Sequence, residues 1–131
     1  MKISVLGLGL MGSVIASRLH TQGLDVTGWN RSPEKAEALA GQGLKTMVSA
    51  PEAIAAADLC ILVLSDHQAI LETLFGVNAK ARLTGRTVLQ MGTIAPGESR
   101  DLAKRVSEAG GAYLEAPVLG SLPEASDGRL I

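Results

Sequence analysis

Aromatic residues are nearly absent from this chain: one Trp, one Tyr and one Phe in 131 residues. So few rings leave no stacking platform of the kind that holds single-stranded nucleic acid. Charge of one sign is also lacking. Twelve Lys and Arg oppose thirteen Asp and Glu, for a net charge of −1, so there is no basic field to bind a nucleic acid by counterion release. The one cysteine, Cys60, excludes an internal disulfide. It sits in the apolar run Leu59-Cys60-Ile61-Leu62-Val63-Leu64 with no cation beside it in the sequence, the setting of a small buried hydrophobe and not of a reactive thiol. No apolar run approaches the roughly 20 residues needed to span a bilayer. The residues from Lys2 onward already read as a strand, so no signal peptide is evident and a cytoplasmic location is expected. His, Cys, Asp and Glu show no metal-ligand spacing, and no nucleophile–base pair stands out.

What the chain does have is small residues and apolar segments of two kinds, strand-like and helical, in alternation. Lys2 to Leu6 is a strand that runs into Gly7-x-Gly9-x-x-Gly12, and a helix follows from about Met11 to Gln22, stopped at Gly23. Asp25 to Trp29 is a second strand. Ser32-Pro33 opens a second helix, with Ala36, Leu39, Ala40 and Gly43 on one face. A short strand at Lys45 to Val48 precedes an alanine-rich helix with Ser49 and Glu52 spaced as a capping box. Leu59 to Leu64 reads as a central strand buried on both faces. Ile70, Leu71, Leu74 and Phe75 stripe the next helix, Thr87 to Gln90 is the fifth strand, and a helix from Pro96 to Ala109 leads through Gly110-Gly111 into a sixth strand, Ala112 to Glu115. The alternation predicts one α/β domain over residues 1–131: a Rossmann-type, doubly wound parallel sheet in three α/β/α layers, with strand order 3-2-1-4-5-6.

Between a strand and a helix, the three glycines have separate physical tasks. Gly7 permits the tight turn, Gly9 lets backbone approach a pyrophosphate, and Gly12 lets the helix pack on the strand. The uncapped N–H groups of the helix start then face the phosphates. At the end of the second strand, where a carboxylate would read an unphosphorylated ribose, the chain has Trp29-Asn30-Arg31-Ser32. Arg31 offers a guanidinium to a 2′-phosphate, with Asn30, Ser32 and Lys35 nearby, so NADP (as NADPH) is expected and NAD less so. Ligands of such sheets lie beyond the carboxyl ends of the strands. This draws in Leu64, Ser65 and Thr93, although Ser65 with Gln68 reads equally as a helix cap. His67 and His20 read as solvated surface histidines.

Four blocks occur in order: Leu6-Gly7-Leu8-Gly9-Leu10-Met11-Gly12, Asn30-Arg31-Ser32-Pro33-Glu34-Lys35, Gly92-Thr93-Ile94-Ala95-Pro96, and Leu114-Glu115-Ala116-Pro117-Val118-Leu119-Gly120-Ser121. Together they resemble the β-hydroxyacid dehydrogenase family over essentially the whole chain, most closely its glyoxylate/succinic semialdehyde reductase branch. The resemblance implies Gly7, Gly9, Leu10, Met11 and Gly12 at the pyrophosphate. It places Asn30, Arg31 and Ser32 at the adenosine end, Leu64 and Ser65 along the dinucleotide, and Thr93 near the nicotinamide. It also implies a small-molecule substrate at Leu119, Gly120 and Ser121. Leu119 replaces the family's substrate-binding serine, which hints at a less polar substrate, as in imine reductases.

The family's catalytic lysine and all-helical second domain have no counterpart in these 131 residues. An apolar strand beginning at Arg129 and cut at Ile131 is expected to belong to a longer, homodimeric protein. No catalytic residue is therefore assigned. The expected role is the cofactor domain of an NADPH-dependent reductase that is inactive alone. The alternatives are an imine reductase-like enzyme or a non-catalytic NADP-binding module.

Overall fold

The computed structural model describes residues 1–64, 66–76, 78–79, 82–92 and 94–116. Its elements follow one another as strand and helix: β1 (Lys2–Leu6), α1 (Leu10–Thr21), β2 (Asp25–Trp29), α2 (Pro33–Ala40), β3 (Lys45–Thr46), α3 (Ala50–Ala55), β4 (Leu59–Leu62), α4 (His67–Phe75), β5 (Thr87–Gln90), α5 (Pro96–Glu108) and β6 (Ala112–Glu115). The six strands form one sheet in the order β3-β2-β1-β4-β5-β6, with every neighbouring pair parallel. This is the expected Rossmann-type sheet. The order reverses between β1 and β4, so the connections after these two strands diverge to opposite faces and open a crevice at their carboxyl ends.

The alternation of side chains along each strand divides the core in two. Ile3, Val5, Val26 and Ile61 face α1 and α2 and pack with Leu8, Ala16, Ala36, Leu39 and Leu44. Leu6, Cys60, Leu62 and Val88 face the other way, against Ile54 of α3, Ile70 and Leu74 of α4, and Leu102 and Val106 of α5. Each large apolar side chain buried in this way stabilises the fold by about 1.5–3 kcal/mol. Ser4 Oγ, fully buried in these layers, donates to the carbonyl of Ala53.

Four boundaries differ from the sequence reading. β3 is only two residues long and Val48 is almost fully exposed, because an edge strand with one partner needs little of the segment. The ladder continues past it only through Met47 N–H to the Gly28 carbonyl. β4 ends at Leu62, two residues early, although Val63 N–H still donates to Leu6 O. α2 stops at Ala40, with Gly43 beyond it at φ +90°, so Gly43 belongs to the turn and not to the helical face. The α4 cap is Asp66, whose Oδ1 accepts from Gln68 N–H at 3.0 Å. Ser65, the expected cap, lies outside the described residues, as do the expected final strand and residues 117–131. Ser49 does cap α3, accepting from Glu52 N–H at 3.3 Å.

Cys60 is wholly buried. Desolvation pushes its thiol up to about 11 from 9.0, opposed only in part by the positive charge of Arg86, a cation that lies 26 residues away in sequence and that local reading could not see. Arg86 itself is anchored by donating to the carbonyls of Ala55, Arg82 and Thr84. Because the folded state holds the neutral thiol, this contribution to stability is complete below pH 9 and is lost as pH rises from 9 through 11. Cys60→Ala is expected to flatten the urea-measured stability profile over that window by about 2–3 kcal/mol relative to the parent chain. Superimposable alkaline profiles would contradict the assignment.

Candidate functional site

The carboxyl end of β1 is built around a contact that admits no side chain. Gly7 takes φ +105°, and a Cβ there would lie 2.5 Å from the Val63 carbonyl oxygen. A Cβ on Gly12 would overlap the carbonyl oxygen of Gly7 itself. The two glycines therefore let α1 begin directly on top of the strand it leaves. Gly9 differs from both: nothing stands within 4 Å of where its Cβ would be. That open space lies over the start of α1, where Gly9 is the cap residue and no side chain closes the helix end. The first-turn N–H groups at Leu10, Met11 and Gly12 are thus free of a protein cap, and Leu10 is three-quarters exposed. Such a helix start attracts an anion, and this one leaves the approach clear.

The loop is braced from its neighbours. Gly7 N–H donates to the Trp29 carbonyl at 2.9 Å, and Ser13 Oγ donates to the Leu8 carbonyl at 2.8 Å. Asn30 Oδ1 accepts from Leu8 N–H at 2.9 Å while its Nδ2 donates to the Ser32 carbonyl at 3.1 Å. Asn30 Oδ1 therefore ties the loop after β1 to the loop after β2, while Nδ2 keeps a second N–H beyond its bond to the Ser32 carbonyl.

Beside it, Trp29, Asn30, Arg31, Ser32, Leu64 and Ala69 line a cavity of about 280 Å³. Arg31 reaches across to α4, with Nη1 3.4 Å from Glu72 Oε2. Ser32 Oγ donates to Glu34 Oε2 at 2.9 Å, and Glu34 is held below the usual carboxylate range by its backbone hydrogen bond and then by this hydroxyl. Lys35 instead lines a separate recess of about 290 Å³ with Leu8, Gly9, Leu10 and Ser13. A larger recess, about 400 Å³, runs along the flanks of α1 and α2 past Arg18 and Thr21. It touches neither the strand ends nor Gly9, so the chemistry favours the smaller spaces at the crevice.

On the far side, the loops after β4 and β5 are pressed together. A Cβ on Gly92 would overlap the Leu64 carbonyl oxygen. Gln90, fully buried, donates from Nε2 to the Gly92 carbonyl at 3.0 Å, and its Oε1 has no partner among the described residues. His67 is not the solvated histidine expected. Its side chain is 23% exposed and lies between two carboxylates of α5, Nδ1 3.5 Å from Glu98 and Nε2 3.7 Å from Asp101. Glu98 also accepts from Ala95 N–H at 2.9 Å, so His67 joins the starts of α4 and α5. His20 is exposed, as expected.

The structure thus brings Asn30, Arg31, Ser32 and Leu64 together around one cavity and Gly9 and Leu10 around the neighbouring recess, with Gly7, Met11 and Gly12 in the turn and helix start that join them. Ser65, Thr93, Leu119, Gly120 and Ser121 lie outside the described residues. Glu72 and Gly92 belong to the same crevice and were not singled out from sequence: Glu72 lies 41 positions from its partner, and Gly92 shows its role only when two loops meet. Among the described residues no group of His, Cys, Asp and Glu could hold a metal ion, and no helix is long and apolar enough to cross a membrane.

Residues 2–131 match the family described as the NAD binding domain of 6-phosphogluconate dehydrogenase. The chain belongs to that family. It is 36% identical to glyoxylate/succinic semialdehyde reductase 2, chloroplastic, of Arabidopsis thaliana, over 98% of this chain and 37% of the relative. It is 35% identical to 2-hydroxy-3-oxopropionate reductase of Escherichia coli, over 99% of this chain and 45% of that enzyme. Cytokine-like nuclear factor N-PAC of Danio rerio is 33% identical over 99% of this chain and 29% of its own length. Among solved structures, an imine reductase of Streptomyces aurantiacus superimposes with a TM-score of 0.88 at 35% identity, over 94% of this chain and 43% of that one. The chain therefore spans less than half the length of each of these relatives. It is an NAD(P)-binding Rossmann domain of the kind found in hydroxyacid reductases.

Asn30→Ala separates bracing from recognition. It leaves Leu8 N–H unpartnered and is expected to cost about 1–3 kcal/mol in urea unfolding. Binding of NADPH and NADH, followed by Trp29 fluorescence, should weaken by the same factor. Selective loss of NADPH binding would show instead that Asn30 reads the phosphate.

Proposed function

We propose that this chain is the NADPH-holding domain of a reductase that transfers hydride to the carbonyl carbon of a small semialdehyde or ketoacid, or in reverse from the hydroxyacid. The observation that carries the reading is the open space over Gly9 at an uncapped helix start, with Arg31 beside the neighbouring cavity. Gly7, Gly9, Leu10, Met11 and Gly12 hold the pyrophosphate by backbone N–H groups. Arg31 and Ser32 take the 2′-phosphate, Trp29 and Leu64 supply apolar walls for the adenosine, and Ser65 and Thr93 line the path to the nicotinamide. The nicotinamide, when bound, supplies the hydride.

Substrate approaches through Leu119, Gly120 and Ser121, and the proton donor comes from the rest of the enzyme, which in the relatives is more than half of the chain. A homodimer in the cytoplasm is part of the same reading. The absence of an acidic residue at positions 30–32 supports NADPH over NADH, since a carboxylate there would accept from an unphosphorylated ribose and repel the phosphate.

A second reading has an observation of its own. Leu119 stands where hydroxyacid enzymes of the family place a serine, and the Streptomyces aurantiacus neighbour is an imine reductase. In that case the hydride acceptor is an imine carbon and the substrate pocket is less polar.

Titration of the chain with each cofactor tests the cofactor assignment. NADPH should bind at least about tenfold more tightly than NADH, the worth of one charge-assisted phosphate contact. Arg31→Ala should bring the two together. Equal affinities in the parent chain would remove NADP from the reading.

A further inference from the structure

Arg31 is not idle in the crevice. Its Nη1 lies 3.4 Å from Glu72 Oε2, an ion pair across the rim of the 280 Å³ cavity. Glu72 is itself held in place: Oε1 accepts from Gln68 Nε2 at 3.3 Å, one turn back along α4. Between these two residues on the helix, Ala69 forms part of the cavity wall. The same helix therefore supplies part of the cavity wall and a carboxylate that pairs with the Arg31 lining it. Both members of the pair are water-exposed, at 78% and 55% of their side chains. The contact thus contributes little to stability and separates readily.

A carboxylate on the guanidinium has the charge and hydrogen-bonding pattern of a phosphate oxygen pair. Through Nη1, Glu72 engages one of the guanidinium's five N–H donors, and it remains close by as a like charge once a 2′-phosphate arrives. A dinucleotide with a bare 2′-hydroxyl meets neither penalty.

We propose that Glu72 is a specificity-determining residue that competes with the 2′-phosphate for Arg31 and so moderates the preference for NADPH over NADH. This rests on the assignment of Arg31 to that phosphate. Position 72 on α4 then sets how far the preference goes, while positions 30–32 set its direction. Its effect is electrostatic, so it fades as ionic strength rises.

The test is a double-mutant cycle with Glu72→Gln, Arg31→Ala and the pair together, each titrated with NADPH and NADH at low salt and at 0.5 M KCl. Unchanged thermal unfolding of Glu72→Gln, which replaces an exposed side chain by one of the same shape, shows that the fold is intact. Glu72→Gln should tighten NADPH binding roughly fivefold at low salt, the scale of one unit charge at contact distance in water. NADH binding should stay within about twofold, and the gain should shrink in KCl and be smaller in the Arg31→Ala background, where only the direct repulsion between Glu72 and the phosphate remains. Weaker NADPH binding in Glu72→Gln would make Glu72 a residue that holds Arg31 in position and would overturn the proposal. Equal changes for both cofactors, or no change for either, would overturn it as well. If Arg31→Ala leaves the NADPH preference intact, the phosphate assignment itself fails. If Arg31→Ala abolishes the preference while Glu72→Gln is silent, only the role of Glu72 fails.

Discussion

The architecture turns on one backbone contact, between Gly12 at the start of α1 and the carbonyl of Gly7 at the end of β1. No Cβ fits between them. Because they touch, α1 starts at the sheet surface with its N-terminus over the strand ends, and the groups left open there are N–H donors with no side chain in front. The reversal of strand order between β1 and β4 puts this helix start where neighbouring connections part. The open helix start is a consequence of how closely a helix can approach a strand.

Around that contact the crevice is assembled by pairs of loops that lean on each other. Asn30 ties the loop after β2 to the loop after β1, and the absence of a Cβ on Gly92 lets the loop after β5 close on Leu64 after β4. His67 between Glu98 and Asp101 joins the two helices that follow those strands. Each brace is weak alone, at about 1 kcal/mol for a hydrogen bond. Their effect is positional: they hold donors and walls where the sheet alone would leave mobile connections.

Much of this was legible in the sequence. The strand–glycine–helix opening and the alternation of periods identify the sheet, its order and the glycine turn, because each depends on residues within a few positions of one another. What was missed depends on contacts between distant segments. The Arg31–Glu72 pair spans 41 positions, His67 meets α5 more than 30 positions on, and Arg86 approaches Cys60 through the fold. The bracing role of Asn30, whose Oδ1 accepts from Leu8 N–H, is likewise invisible without the loop geometry. The cap of α4 is Asp66, one residue after the Ser65 whose sequence reads equally as a cap or a cofactor contact. β3 was drawn too long because an edge strand has less pairing to sustain it than its sequence pattern suggests.

The bond from Asn30 to Leu8 N–H has one more consequence. Because the frame of the loop is secured by an uncharged amide facing inward, the charged residues at the rim carry none of the structural burden. Arg31 and Glu72 are exposed, paired only loosely, and free to change without loosening the loop. On the proposed assignment, grip on the shared part of the dinucleotide and discrimination at its distal ribose therefore reside in different residues. A lineage built on this frame can retune its choice of electron donor through single surface substitutions, while the buried scaffold that makes any choice possible stays as it is.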